Sequence, residues 1–291
     1  MQHRGYSISP ALAGACLAVL AAFLFSILNV VIRFSEPYLT VWHMMFGRSV
    51  FGLAFLLLAA RAWRLSLLGQ KRGILLLLGL SGTGGILCLT LALLQIPLFQ
   101  ALILFYTYPA VAALLTPLLT KDRIHLRDWT CIGLAFLGTV LILWSGQSRE
   151  LSLSLGHLAA IGASTGLGLT MTLTRRVSPV NNALTPIFYI SAVGTIACFF
   201  PLLHSKVAFL VQAQGMWWLG AIGLLAVFAH IATNQALSYA PSPRVGIISM
   251  LEVPLGAVYG YVLFTETLGW STLIGGALVI ASGIGLIRSS A

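Results

Sequence analysis

Apolar positions come in long unbroken runs along this chain. They show neither the strict alternation of a half-buried strand nor the three-and-four spacing of a helix with one wet face. A helix needs roughly 20 apolar residues to cross the hydrocarbon core of a bilayer. Ten such runs follow one another, at 10–33, 38–60, 73–95, 98–119, 128–146, 154–174, 183–203, 215–237, 243–264 and 269–287. The breaks between them are polar or contain proline: Ser35-Glu36-Pro37, Ile96-Pro97, Lys121-Asp122-Arg123, Gln147-Ser148-Arg149-Glu150, Ser178-Pro179 and Pro241-Ser242-Pro243. At Ile96-Pro97 two runs nearly touch, and one long bent segment is the alternative there. The run from Ala11 to Ile32 ends in Arg33. It exceeds the roughly 7–15 apolar residues of a secretory leader, so it reads as a retained helix. The expected fold class is an all-α polytopic membrane protein with ten transmembrane helices.

Composition changes what the charges mean. Hydrophobic residues are 59% of the 291 and charged residues 8%, with a mean hydropathy of +0.99. A soluble domain carries about 25% charged residues. A water-facing surface cannot be covered with so few, which excludes a soluble globular enzyme, a disordered chain and a disulfide scaffold. The net charge of +10 therefore reads as a membrane-orientation signal, not as a nucleic-acid footprint. With the N-terminus inside, the inner loops hold 12 of the 16 basic residues: Arg4, Arg61, Arg64, Lys71, Arg72, Lys121, Arg123, Arg127, Arg175, Arg176, Arg244 and Arg288. Arg33, Arg149 and Lys206 fall outside, and Arg48 lies within a span. Both termini are thus expected in the cytoplasm of a bacterial cell, with the chain in its inner membrane. Cys16, Cys88, Cys131 and Cys198 sit inside apolar runs without a CxxC pair and read as free thiols.

The chain also repeats itself. The turn from Leu91 to Pro97 recurs from Gln235 to Pro241, 144 residues later. Asp122 falls on Glu266 at the same offset, and Pro109 on Pro254 and Ile132-Gly133 on Ile274-Gly275 within two residues of it. Two five-helix halves follow, 1–150 and 151–291. Five is odd, so the second half crosses the membrane upside down. Inverted repeats of this kind typify secondary transporters, which bind substrate near the midplane between the halves.

Ser249-Met250-Leu251-Glu252-Val253-Pro254 and Phe264-Thr265-Glu266-Thr267-Leu268 resemble the L-E-P-V … L-G-E-x-L pattern in the last two helices of the EamA branch of the drug/metabolite transporter superfamily. Pro254 comes one residue late, and Thr265 stands where that pattern has Gly. Tyr108-Pro109 and Lys121-Asp122 form a weaker counterpart in the first half, and Arg48 stands where the family often has an Arg. The resemblance implies a secondary transporter of small metabolites. Within the branch the chain looks most like the amino-acid exporters of the YddG kind.

An ionised group at mid-membrane costs on the order of 2.5–3.5 kcal/mol. Arg48 and Glu252 are the two such groups. They read either as cavity residues meeting the charged ends of a zwitterion or as structural partners within the bundle. Glu252 is also placed to carry protons, or to cap the ladder opened by Pro254. Ser249, Glu252, Gly256 and Tyr259 fall on one face of the ninth helix at helical spacing. His230 and Asn234 share a face of the eighth; Ser26, Asn29 and Arg33 form a stripe on the first; Ser164, Gly168 and Thr172 form one on the sixth. Tyr106 and Tyr108 flank Pro109, and His43 lies near the outer interface beside Trp42. Arg48, Tyr106, Tyr108, His230, Asn234, Glu252, Tyr259 and His43 are the candidate substrate-binding residues, with Pro109 and Pro254 as hinges. Small residues at Gly14, Ala18, Ala22 and Ser26, at Ala277, Ala281 and Gly285, and in the pairs Gly162/Gly166 and Gly256/Gly260 are expected to let helices approach closely. Gly79, Gly82, Gly84 and Gly85 crowd the third span as packing or hinge positions.

The sequence holds no HExxH, no P-loop, no nucleophile elbow and no Cys/His metal spacing. No catalytic residue, metal or cofactor is expected. The partners expected are a small-molecule substrate such as an amino acid, protons and the bilayer, and no nucleic acid. Three functions follow in order: alternating-access exporter of neutral metabolites (or of amphiphilic cations), ungated facilitator of the same fold, and intramembrane enzyme.

Overall fold

The computed structural model describes residues 10–35, 37–95, 101, 104–143, 154–204, 213–264 and 269–290. The expected positions Ile96-Pro97, Glu36, Glu150, Arg4, Arg149, Lys206, Thr265 and Glu266 lie outside these residues. The described residues form eleven helices: α1 Pro10–Ser35, α2 Val41–Trp63, α3 Arg72–Gln95, α4 Tyr108–Leu119, α5 Leu126–Leu143, α6 Leu155–Val177, α7 Leu184–His204, α8 Ala213–Tyr239, α9 Ser242–Ser249, α10 Glu252–Phe264 and α11 Trp270–Ser290. The helices α9 and α10 are halves of one pass, so the eleven make ten passes. Among the described residues, five segments are long and apolar enough to span a bilayer on their own: Pro10–Ser35, Trp42–Trp63, Arg72–Ala92, Gly215–Tyr239 and Ser242–Leu263.

In hydrocarbon a spanning segment must satisfy its own backbone, which a helix does. The ends need help. Thr40 caps α2 and Ser154 caps α6, each in a reciprocal box with a histidine three residues on, His43 and His157. His43 is buried and its Nδ1 lies 2.8 Å from Thr40 Oγ1. It thus helps to start α2, where a cap contributes about 1 kcal/mol. Polar groups within the spans turn to their own helices. The hydroxyls of Thr116, Thr170, Thr172, Thr174 and Thr233 each donate to the carbonyl four residues back.

The two halves interlock. The most extensive helix contacts pair α3 with α6, α1 with α8, and α5 with α11, followed by α2 with α7 and α8 and α3 with α7. Exchanging each helix for its counterpart (α1 for α6, α2 for α7, α3 for α8, α4 for α9–α10, α5 for α11) returns this same set of contacts. That is the signature of a twofold axis between two inverted repeats.

Glycine makes these approaches possible. A Cβ on Gly166 would stand 2.7 Å from Gly85 Cα and 2.8 Å from the Ser81 carbonyl oxygen, and one on Gly138 would stand 2.6 Å from that of Gly275. The crowded third span is a packing surface: Gly79 faces the Tyr189 carbonyl, Gly82 faces Ile190 and Gly85 faces Gly166, while Gly84 has open space. The expected pair Gly256/Gly260 is a different case. Gly256 is exposed and a Cβ there would meet nothing within 4 Å, so this motif seats no helix at Gly256. All four cysteines are free.

The packing has a direct test. Gly166→Val and Gly138→Val should each cost at least about 1–3 kcal/mol by overpacking and lower the midpoint of thermal unfolding in detergent. Gly84→Ala and Gly133→Ala, which meet open space, should leave it within a degree or two of wild type.

Candidate functional site

The polar residues converge where two passes are broken. In the fourth pass Leu104 and Phe105 are helical, the chain turns at Tyr106-Thr107, and α4 begins at Tyr108. In the ninth, α9 ends at Ser249, the chain turns at Met250-Leu251, and α10 begins at Glu252. The two turns are 144 residues apart, the offset of the sequence repeat. Pro109 and Pro254, the expected hinges, stand directly after these turns. Both fall in the first turn of a new helix, where a missing N–H leaves no bond unmade. The break also interrupts the helical spacing that put Ser249 on one face with Glu252 and Gly256.

Two charged residues within the spans each have a partner from the opposite repeat. Arg48 of α2 has Nη2 2.7 Å from Nε2 of His230 on α8. Asn29 of α1 donates its Nδ2–H to Oε1 of Glu252 at 2.6 Å. Glu252 sits in the first turn of α10, where the positive end of a helix favours a carboxylate. Asn29 and Gly256 are exposed, and Glu252 between them is half-buried.

Arg48 and His230 also line a narrow cavity of about 40 Å3 with Met45, Ser49, Thr83, Ile86, Ser191, Gly194 and Cys198 among its walls. The ring of Phe25 stands edge-on to His230, with centroids 5.2 Å apart. Phe105, Tyr106 and Tyr108 cluster at the first break, with centroids 5.4–6.2 Å apart.

Other predicted residues hold the frame. Asn234 is buried and donates to the Ala183 carbonyl at 2.9 Å, just before α7. Tyr108 donates to the Gly246 carbonyl at 3.0 Å, tying one broken pass to the other. Ser164 bonds Thr107 at 2.7 Å, and Gly168 lies against the Tyr108 carbonyl, so that stripe seats α6 on α4. Tyr259 is half-buried two turns beyond Glu252. His43 belongs to the cap of α2. The residues that sequence left unassigned are Asn29 as the partner of Glu252, and Ser49, Thr83, Ser191 and Gly194 as cavity wall. An amide in an apolar run was the available signal for Asn29; small hydroxyls and a glycine give none. No cluster of three or more His, Cys, Asp or Glu suited to a metal occurs among the described residues.

The end of the bundle that carries the termini is tied across the repeats. Arg175 pairs with Asp122 at 3.0 Å and donates to the Leu237 and Ser238 carbonyls. Arg244 pairs with buried Asp128 at 2.9 Å, and Asp128 also accepts from the His125 backbone N–H. Asn181 and Asn182 hold the α2–α3 turn at Gln70 and Ser66.

The EamA-like transporter family model matches residues 12–144 and again 154–288. The chain belongs to that family. Two proteins named pseudopaline exporter CntI, from two strains of Pseudomonas aeruginosa, are 28% and 27% identical to it over 280 residues, covering 95% of this chain and 96% of theirs. An uncharacterized transporter of Archaeoglobus fulgidus is 25% identical over 62% of this chain. A crystal structure with a TM-score of 0.81 covers 94% of this chain at 17% identity, which establishes the fold alone. The family match bears out the EamA resemblance read from residues 249–254 and 264–268. The named ones export pseudopaline, so they do not single out the amino-acid exporters that the sequence most resembled.

Site and frame separate experimentally. Asn234→Ala removes one buried hydrogen bond and should cost about 1 kcal/mol of stability, with the KM for transport unchanged in the folded fraction. Arg48→Ala should abolish transport at normal membrane yield. Loss of folded protein instead would make Arg48 a structural residue.

Proposed function

We propose that this EamA-family transporter exports a small zwitterionic metabolite, an amino acid or a close derivative, by alternating access. The observation that carries this reading is the pair of cross-repeat contacts, Arg48 to His230 and Asn29 to Glu252. A guanidinium suits a substrate carboxylate. A carboxylate at the start of a broken helix suits a substrate ammonium. Aromatic and aliphatic walls leave room for an uncharged side chain, including an aromatic one. Phosphorylated sugars fit poorly, because one cation in the site cannot balance a dianion.

Alternating access follows from where those contacts lie. Each joins one repeat to the other, so rocking the repeats makes and breaks the site as a unit. The cavity beside Arg48, about 40 Å3, has to widen before it admits an amino acid. The ion pairs Arg175–Asp122 and Arg244–Asp128 tie the repeats together at the end carrying the termini. With 12 of 16 basic residues on the termini's side, the positive-inside rule makes that end cytoplasmic in a bacterial inner membrane. A C-terminal fluorescent-protein fusion should then fold and fluoresce in the cytoplasm.

The named relatives favour a second substrate, pseudopaline itself. Counterflow into proteoliposomes distinguishes the two. Labelled Thr, Met or Phe should exchange, and unlabelled substrate on the far side should speed uptake. Exchange of pseudopaline alone would replace the amino-acid assignment. Uptake without trans-stimulation would make the protein a facilitator. Glu252→Gln should raise the KM for exchange and lose the response to an imposed pH gradient; an unchanged KM removes Glu252 from substrate binding, and an unchanged response removes it from proton coupling.

A further inference from the structure

We propose that the turn between α4 and α5 is a binding site for an anionic phospholipid, with the phosphate held by Lys121 and Arg123 and an acyl chain laid along α4. A trough of about 520 Å3 opens there on the side of the bundle. Leu114, Pro117 and Ile124 form its apolar part, Lys121 and Arg123 its basic rim, and Trp129 its edge. Lys121 and Arg123 are both exposed.

The acid within the trough does not cancel this charge. Asp122 gives Oδ2 to Arg175 of α6 at 3.0 Å, so its charge is balanced from behind. Two cations are left facing out. Below them Leu114 and Leu118 are 64% and 78% exposed, which suits a face bathed in acyl chains. Trp129 is 39% exposed beside the basic rim, the level at which indole rings settle between headgroup and hydrocarbon.

The order of chemistry, cation then indole then aliphatic wall, matches an anion that carries a hydrocarbon tail. Inorganic phosphate matches the rim alone. Basic pockets between helices at a membrane face recognise anionic headgroups by the same complementarity. The position adds a consequence. Lys121 and Arg123 flank the Asp122–Arg175 contact, so a lipid seated there touches the tie that joins the repeats at this end.

The test is native mass spectrometry of the full chain released from micelles containing phosphatidylglycerol, phosphatidylcholine or inorganic phosphate. Phosphatidylglycerol should be retained over phosphatidylcholine. The double variant Lys121→Gln/Arg123→Gln should reduce that retention roughly tenfold or more. Leu114→Asn, which keeps both cations, should also reduce it, and Arg72→Gln, an exposed basic residue at another turn, should leave it at the wild-type level. Equal retention of the two lipids, or retention unchanged by the double variant, overturns the proposal. Displacement of phosphatidylglycerol by millimolar inorganic phosphate makes this a free-anion site and overturns it equally.

Discussion

A bilayer interior gives a peptide group nothing to bond to, and most of this structure answers that constraint. Helices satisfy their own backbones, and threonine hydroxyls fold back on carbonyls one turn earlier. Histidines complete the caps of α2 and α6. Among the described residues of the spans, irregular backbone is confined to two turns, Tyr106-Thr107 and Met250-Leu251. Charge is treated the same way: Arg48 and Glu252 each have a polar partner within 2.7 Å. The candidate site is thus the place where the protein supplies from its own side chains what the lipid cannot.

The scaffold is twofold but the chemistry is not. Counting by the repeat offset, Glu252 corresponds to Tyr108, Arg48 to Ala192, His230 to Ile86 and Asn29 to Leu173. Helix contacts and helix breaks recur on both sides of the axis, while each charged group occurs once. Symmetry sets how the halves move against one another. The single copies decide what is carried and which end of it points where.

Much of this was legible in the sequence, because the bilayer imposes long apolar runs and a charge bias that need no tertiary information. The repeat showed through Pro109 and Pro254 for a related reason, since both mark the restart of a helix after a break. The breaks before them do not show, because a proline in a hydrophobic run looks the same in a kink as in a first turn. The pairing of Arg48 with His230, across 182 positions, was beyond reach of spacing rules, which see only one helix. Asn234 shares a helical face with His230 yet ends on the Ala183 carbonyl, because the start of α7 happens to lie there. Gly256 reads as part of a packing motif, but the neighbour that would fill it is absent. Face, in a sequence, says what a residue could touch and not what comes to meet it.

The interlocking of the repeats has a consequence for how the chain is made. Gly85 and Gly138 in the first half are fitted against Gly166 and Gly275 in the second, so the first half reaches the membrane with its glycine-lined faces uncovered. At about 5–20 residues per second, the ribosome needs roughly 7–30 seconds to deliver the rest. Through that interval five helices wait as a loose set, able to shift and to meet the wrong neighbours. A slow stretch of translation in the second half would lengthen the exposure, and an insertase that shelters small-residue faces would shorten its effect.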